Sequence, residues 1–223
     1  MDSFIDYIKR SLSIPLPGDK AHIEVSPSRR PIASEQLKRS GRFTQSAVAV
    51  ILFKKQKQTD WHIILTERQF YNGFHSKQIS FPGGKQEEID INLIQTALRE
   101  SNEEIGLIPN YFELLGSLSP VYIPVSGFRV QPLVFHYLEN PKFIREEREV
   151  AEIFTFPVDL LLDEKILKTT EIEIQGGLKL KDVPYFHIND KIVWGATALI
   201  LNEFKYCMNG LNPNNIKKKH PII

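Results

Sequence analysis

The sequence predicts an α/β fold with a mixed β-sheet sandwiched between helices. Three observations carry that prediction: strand-like pairs stand on either side of one amphipathic helix, a further apolar helix closes the chain, and no internal repeat or low-complexity tract interrupts them.

Taken in order, residues 3 to 12 read as a short amphipathic helix. Residues 13 to 42 are rich in Pro, Ser and charge, which suggests an extended arm wrapped over the domain. Ala47 to Phe53 and Trp61 to Thr66 flank a polar turn at Lys54 to Asp60 and form a hairpin. A long loop then carries His75 and Gln78 to the Phe81-Pro82-Gly83-Gly84 turn. Residues 92 to 105 are helical, because Ile94, Ala97, Leu98, Ser101 and Ile105 make an apolar or small stripe. Asp90 is placed to cap the start of this helix and Gly106 to end it. Phe112 to Val121 and Gly127 to Leu138 follow as strands, with Pro124 and Gly127 marking the turn between them. The acidic group Glu146, Glu147, Glu149 and Glu152 leads into a strand-to-helix stretch, Ile153 to Leu162. Residues 171 to 188 alternate about Gly176-Gly177 as a second hairpin, and a helix over Trp194 to Cys207 covers one face of the sheet. The expected organisation is therefore a helix and arm over 1–42, a domain over 43–208 and a tail over 209–223.

Composition narrows the function classes. A chain of 223 residues, 42% of them hydrophobic, can bury a sizeable core in one domain. Its 28 basic and 27 acidic residues leave a net charge of +1, so no broad field argues for nucleic acid or an anionic membrane. The cluster Lys217-Lys218-Lys219 reads as a solvated tail. Cys207 is the sole cysteine, which excludes an intramolecular disulfide and fits a reducing compartment. No leader pattern and no window of ~18 apolar residues is present, so the expected location is cytoplasmic. The six histidines lack metal-ligand spacing, and Ser46, Ser80 and Ser126 have no Ser-His-Asp arrangement around them. Nor is Gly83-Gly84 a P-loop.

The chemistry concentrates on the first long helix. At about 100° per residue, Glu100, Glu103 and Glu104 span an arc of roughly 100° and project from one face. Carboxylates that close repel, by some tenths of a kcal/mol per pair on a bare helix, and a cation makes the arrangement favourable. An isolated Glu-x-x-Glu-Glu is ordinarily a solvated surface. Here a Gly-Gly turn precedes it and offers backbone groups, and oxygen-only ligation with few protein ligands suits Mg²⁺ or Mn²⁺ when a phosphate completes the shell.

These residues resemble the Nudix hydrolases, whose signature reads Gly-x5-Glu-x7-Arg-Glu-U-x-Glu-Glu-x-Gly-U with U aliphatic. Arg99, Glu100, Glu103, Glu104, Gly106 and Leu107 fill its second half, with Ser101 at the first aliphatic slot. The first half carries one extra residue, and Gly84 and Asp90 take the Gly and acidic roles. That form is similar to the coenzyme A pyrophosphatase branch of the family. The upstream run from Ile64-Leu65-Thr66-Glu67-Arg68 to Phe81-Pro82-Gly83-Gly84 resembles the branch's second motif without a gap, with Gln69, Gly73 and Lys77 departing from it. Weaker likenesses flank these at Leu16-Pro17-Gly18, Ala21-His22 and Ser26-Pro27-Ser28-Arg29, and at Ile192 to Ala198.

The resemblance implies an α/β/α sandwich, a Mg²⁺ or Mn²⁺ cofactor and cleavage of a diphosphate. It assigns Glu100 and Glu104 as central metal ligands, with Glu103 and the Gly84 carbonyl as further ligands or water-mediated partners. Arg99 pairs with Glu103 at i+4 and orients it. Arg68 and Lys85 are the nearest cations for a diphosphate, and Gln78, Phe81 and Gly83 complete the expected substrate-binding set. The general base is open among Glu103, Glu104, Glu149 and Glu152, the last two being candidates for an extra ligand or base. The leading substrate is coenzyme A or acyl-coenzyme A, cut to 3′-phosphoadenosine 5′-phosphate and 4′-phosphopantetheine or its acylated form. Another nucleotide (a nucleoside diphosphate sugar, a dinucleotide or a nucleoside triphosphate) and a ligand-binding module without catalysis stay open as alternatives. The resemblance also carries the expectation of a homodimer, with neither nucleic acid nor membrane as partner.

Overall fold

In the computed structural model, described over residues 3–27, 43–55, 60–69, 78–124, 126–173, 177 and 179–209, strand β1 (Thr44–Lys54) lies at the centre of the sheet. Its run Ala47 to Phe53 is apolar at every position, as a strand buried on both faces must be. Ala47, Ala49, Ile51 and Phe53 face one core layer, and Val50 and Leu52 face the other. On one side β1 pairs antiparallel with β2 (Trp61–Arg68), in register Leu52↔Ile63, which is the expected hairpin. Residues 56–59 of its turn lie outside the described residues.

Strand β3 (Ile79–Ser80) adds to β2, and β4 (Gly83–Lys85) adds to the start of β1. Helix α1 (Ser3–Leu12) and the five-residue helix α2 (Asp19–Ile23) precede β1, and helix α3 (Leu93–Ile105) follows β4. Next come β5 (Phe112–Ser117), β6 (Val121–Ile123) and β7 (Phe128–Tyr137), where the sequence suggested one strand over 112–121. A register shift between Leu114 and Gly116 bends the first of them. Gly116 meets Leu12 Cβ at 2.8 Å from where its own Cβ would stand, so α1 presses on the backbone there. Strand β7 runs parallel to β1 over Thr44↔Phe128 to Leu52↔His136, and all the other pairings are antiparallel. The sheet is therefore mixed, with order β3-β2-β1-β7-β5 among the described residues.

Beyond β8 (Val150–Pro157), which pairs with β2, the stretch Val158–Leu162 is a short 3-10 helix. A separate antiparallel sheet follows, made of β9 (Leu167–Glu173), β10 (Lys179–Ile188) and β11 (Lys191–Val193). Gly176 and Leu178 of the β9–β10 turn lie outside the described residues. Helix α4 (Gly195–Cys207) starts one residue after Trp194, and Ala198, Leu201 and Phe204 bury completely beneath the sheet. Ile5, Ile8 and Leu12 of α1 join the same layer, each contributing on the order of 1.5–3 kcal/mol of burial. Helices thus cover both faces, α3 on one and α1 with α4 on the other.

The arm expected over 13–42 contains α2, and its part from 28 to 42, including Ser28 and Arg29, lies outside the described residues, as does the tail from 210. What holds α2 is a row of polar groups on α4. The Asn202 amide donates to the Ala21 carbonyl at 2.6 Å, and Tyr206 donates to Glu24. Glu203, fully buried, accepts from Gly18 N at 3.1 Å, Ser119 N at 3.0 Å and Ser119 Oγ at 2.6 Å, and pairs with His22 Nε2 at 3.2 Å. Burial alone would raise the Glu203 carboxyl. The His22 imidazole, Ser119 and the Gly18 amide together hold it below the ordinary range. Glu203→Gln removes a charged acceptor from four partners and is expected to cost about 1.5–3 kcal/mol in denaturant unfolding at neutral pH. Because the native carboxyl is lowered, that difference is present above the ordinary carboxylate range and shrinks as pH falls through the lowered value.

Candidate active site

Helix α3 is built to present one charged face at a fixed height. Asn92, not Asp90, caps it: the Asn92 side chain accepts from Ile94 N and Gln95 N, each at 3.0 Å, worth about 1 kcal/mol. Gly106 ends it at φ 73° with its N–H on the Asn102 carbonyl, and Leu107 N reaches the Ser101 carbonyl at 3.3 Å. Thr96, Ala97, Ser101, Glu104 and Ile105 are the buried positions, so the inner stripe contains a carboxylate.

Asp90 does a different task because its chain position falls beside Arg99. It takes Arg99 Nε on Oδ1 at 3.1 Å and Nη2 on Oδ2 at 3.0 Å, a two-pronged pair, with Thr96 Oγ1 and Glu87 N also donating to Oδ2 at 3.0 Å each. The guanidinium also donates to the Lys85 carbonyl at 3.1 Å, to Glu103 at 2.8 Å as expected at i+4, and lies 3.0 Å from Glu100 Oε1. One arginine therefore ties the loop after β4 to the acidic face.

The Gly83-Gly84 turn comes between that face and β1. A Cβ on Gly83, whose φ is 151°, would fall 2.3 Å from the Ala47 carbonyl oxygen, and one on Gly84 would fall 2.4 Å from Glu100 Oε1. Glycine is required at both positions for close approach, against backbone at the first and against a carboxylate at the second. The Gly83 N–H donates to Glu104 Oε2 at 3.1 Å. The Gly84 carbonyl, expected to face the carboxylates, instead takes the Ser46 hydroxyl at 2.6 Å. The reason is register: Gln86 N bonds to the Gln45 carbonyl and Ala49 N to the Pro82 carbonyl, so the intervening pair Ala47↔Gly84 turns its peptide groups toward β1 and Gly83 turns its own away.

Electrostatics single out two carboxylates. Burial pushes Glu104 up to about 8, against Arg68, whose Nη1 lies 3.6 Å from Glu104 Oε1, and against the Gly83 N–H. Burial likewise raises Glu100, opposed by Arg99. Glu103 is more exposed, its side chain 57% accessible. The extra carboxylate candidates separate by sheet face. Glu152 shares a face with Phe154 and bonds Lys191 Nζ at 2.8 Å, together with Glu67 at 2.7 Å, on the side of the sheet away from α3. Glu149 lies in the turn before β8, its carbonyl accepting from Gln69 N at 2.8 Å, and its charge acts on both Glu100 and Glu104.

Of the expected substrate contacts, Arg68 reaches Glu104 and Lys85 is exposed beside the turn. Gln78 is half-buried, its carbonyl accepting from Arg68 N at 3.0 Å. Phe81 is a correction: it is 2% exposed and packed in the core with Ile79 and Val193, so its side chain anchors the turn and offers no surface to a ligand. Gly73, His75 and Lys77 lie outside the described residues. Two supports escaped the reading of the sequence, Ser46 and the Asp90–Arg99 pair. The nine-residue spacing of Asp90 and Arg99 signals nothing until the loop folds back on the helix.

With this geometry in place, comparison with known proteins decides the family. The NUDIX domain model matches residues 43–173. The chain belongs to the Nudix family. The Nudix hydrolase NudL of Pectobacterium atrosepticum is 31% identical over 181 residues, covering 81% of this chain and 87% of its own. Nudix hydrolase 15, mitochondrial, of Arabidopsis thaliana is 34% identical over 161 residues, covering 70% of this chain and 56% of its own. RenU, a Nudix hydrolase from M. smegmatis, shares the fold at TM-score 0.51 and 12% identity, over 83% of this chain and 94% of that one. The Nudix match ends at the last residue of β9, whereas β10, β11 and α4 continue the same core, Thr197 Oγ1 donating to the Ile79 carbonyl at 2.8 Å behind the Gly-Gly turn. Among the described residues no helix is long and apolar enough to cross a membrane.

The Asp90–Arg99 pair sets an acid dependence. Asp90 is held at about 2 by the Arg99 hydrogen bonds, below its ordinary 3.8, so its contribution is present above pH ~4 and is lost as pH falls toward 2. Asp90→Asn is expected to lower unfolding free energy by about 1.5–3 kcal/mol at pH 7, and the gap to the parent protein closes between pH 4 and 2 in thermal melts.

Proposed function

We propose that this Nudix hydrolase is a Mg²⁺- or Mn²⁺-dependent pyrophosphohydrolase that cleaves the diphosphate linkage of a nucleoside diphosphate derivative, coenzyme A or acyl-coenzyme A foremost. The observation that carries the reading is the pair of buried Glu104 and half-buried Glu100, set against a Gly-Gly turn with cationic side chains at both carboxylates. Support for the substrate comes from the sequence run around Arg68 and Phe81-Pro82-Gly83-Gly84, which is similar to the coenzyme A branch.

The donor set suits a hard divalent cation. All the groups are oxygens, and the Gly84 hollow leaves Glu100 room that a Cβ would fill. Among the described residues no three such side chains already converge on one point, so holding an ion requires Glu100 and Glu104 to turn from Arg99 and Arg68. Glu100 and Glu104 are the proposed ligands, with Glu103 and the Gly84 carbonyl as further or water-mediated partners and Glu149 at the rim, while the Gly83 N–H orients Glu104. The bound cation would screen the diphosphate and lower the pKa of an attacking water. The protein's own share is to keep this site largely dry, to orient Glu103 and anchor the loop after β4 through Arg99, and to offer Arg68 and Lys85 to the phosphate oxygens. A proton released in the attack passes to a carboxylate at the rim of the site, Glu103 or exposed Glu149.

The test is turnover of a panel of coenzyme A, ADP-ribose, NADH, diadenosine polyphosphates and nucleoside triphosphates with Mn²⁺, read as phosphomonoester release. Coenzyme A turns over fastest under this reading; cleavage of another member alone moves the substrate, and none at all points to a ligand-binding module. Glu104→Gln is expected to lower turnover at least about a hundredfold while the melting temperature stays close to the parent value. Gly84→Ala is expected to leave the fold intact, since the clash is with the tip of a flexible side chain. By displacing Glu100 it weakens Mn²⁺ affinity by about 10–100-fold in calorimetric titration.

A further inference from the structure

The two cations that face the acidic pair are held very differently. Arg99 is pinned by Asp90, the Lys85 carbonyl and Glu103, so it cannot leave Glu100's side without breaking the loop's anchor. Arg68 stands at the end of β2, beside a register shift in the β2–β8 pairing, with its Nη1 3.6 Å from Glu104 Oε1. That distance is an ion pair but too long for a hydrogen bond. Among the described residues its Nε is buried without a hydrogen-bond partner, and about a third of the side chain is open to solvent. Glu104, only 4% exposed, has the Gly83 N–H as its main-chain donor. An incompletely satisfied guanidinium thus stands beside an incompletely satisfied buried carboxylate, each matched in charge to one half of a metal–diphosphate ligand.

We propose that Arg68 is an exchangeable counter-ion: it occupies Glu104 electrostatically while no divalent cation is bound and, with Glu104 given over to the cation, turns its planar fork to the diphosphate. The proposal deepens the reading of the site as a metal-dependent diphosphate hydrolase and rests on it. Glu104 and the ligand's phosphate compete for one guanidinium, so cation and diphosphate binding are coupled through Arg68 as well as through direct contact, and the coupling is reciprocal. Bidentate capture of a phosphate by the fork offsets the loss of a pair that never reached hydrogen-bond distance.

The competition is visible without turnover. The experiment titrates methylenediphosphonate, a non-hydrolysable diphosphate, into the metal-free full-length protein in the presence of EDTA by calorimetry at about pH 9, where both the Glu104 carboxylate and the Arg68 guanidinium are charged. The proteins compared are the parent, Glu104→Gln, Arg68→Met and the double variant, each checked for folding by circular dichroism. Glu104→Gln removes the competitor and is expected to tighten binding at least about fivefold, and this gain disappears in the Arg68→Met background. A gain of equal size in both backgrounds means that Glu104 merely repels the phosphate, and it overturns the proposal. Failure of Glu104→Gln to bind detectably overturns it too, because the freed fork should capture the anion. If Arg68→Met does not fold, Arg68→Lys replaces it: a point charge without the fork should keep less than half of the gain, and full retention refutes the fork's role. Because no catalysis is measured, failure here leaves the hydrolase reading to its own substrate panel.

Discussion

The close approach of the Gly83-Gly84 backbone to both β1 and helix α3 is the constraint from which the rest of the site follows. A side chain at Gly83 would collide with the Ala47 carbonyl and Val48 Cα at 2.3 and 2.6 Å, and one at Gly84 would displace the Glu100 carboxylate. With both absent, α3 sinks far enough toward the sheet for Glu104 to bury almost completely and meet the Gly83 N–H. That depth is also what raises Glu104, because desolvation of a carboxylate costs more than one main-chain hydrogen bond and Arg68 at 3.6 Å return, and burial raises Glu100 too although Arg99 lies 3.0 Å away.

Holding such charges requires support from outside the helix, and the fold supplies it in layers. Arg99 converts the loop after β4 into a brace, with Asp90 satisfying two of its donors from below. Ser46 fixes the Gly84 carbonyl from β1, and Phe81 roots the turn in the opposite core. Behind that core α4 grips Ile79 through Thr197, so elements beyond the Nudix match stiffen a loop that belongs to it. Buried polar networks of this kind are high-stakes, since each unsatisfied member costs more than each satisfied one contributes. The Glu203 cluster at the far end of α4 follows the same rule and fastens α2 to the body.

Much of this was legible before folding. The apolar run of β1, the 3.6-residue stripe of α3 and the alternation of β9 and β10 are local patterns, and they placed most elements within a few residues. The errors fell where two segments compete for the same local signal. Asp90 and Asn92 are both suitable caps, and the Asn92 side chain took the role because Asp90 was drawn to Arg99. Phe112 to Val121 reads as one strand by composition, yet it breaks at residues 118–120, where Ser119 turns its N–H and hydroxyl to Glu203 and Pro120 has no N–H to give a ladder.

The sequence by itself determined the reaction's equipment: three glutamates on one helical face, an arginine at i+4 from one of them, and a glycine pair just upstream. These depend only on helical periodicity and on the absence of Cβ atoms, which are properties of short segments. The tertiary structure decided how that equipment is used. Strand register turned Gly84's carbonyl toward Ser46 and Gly83's peptide toward Glu104, and sheet facing sent Glu152 to Lys191 while Glu149 stayed near the acidic pair. Burial set Glu104 apart from Glu103 although the two are neighbours in the chain. Pairing partners and depth are fixed by segments far away in the sequence, so no local pattern could have carried that information.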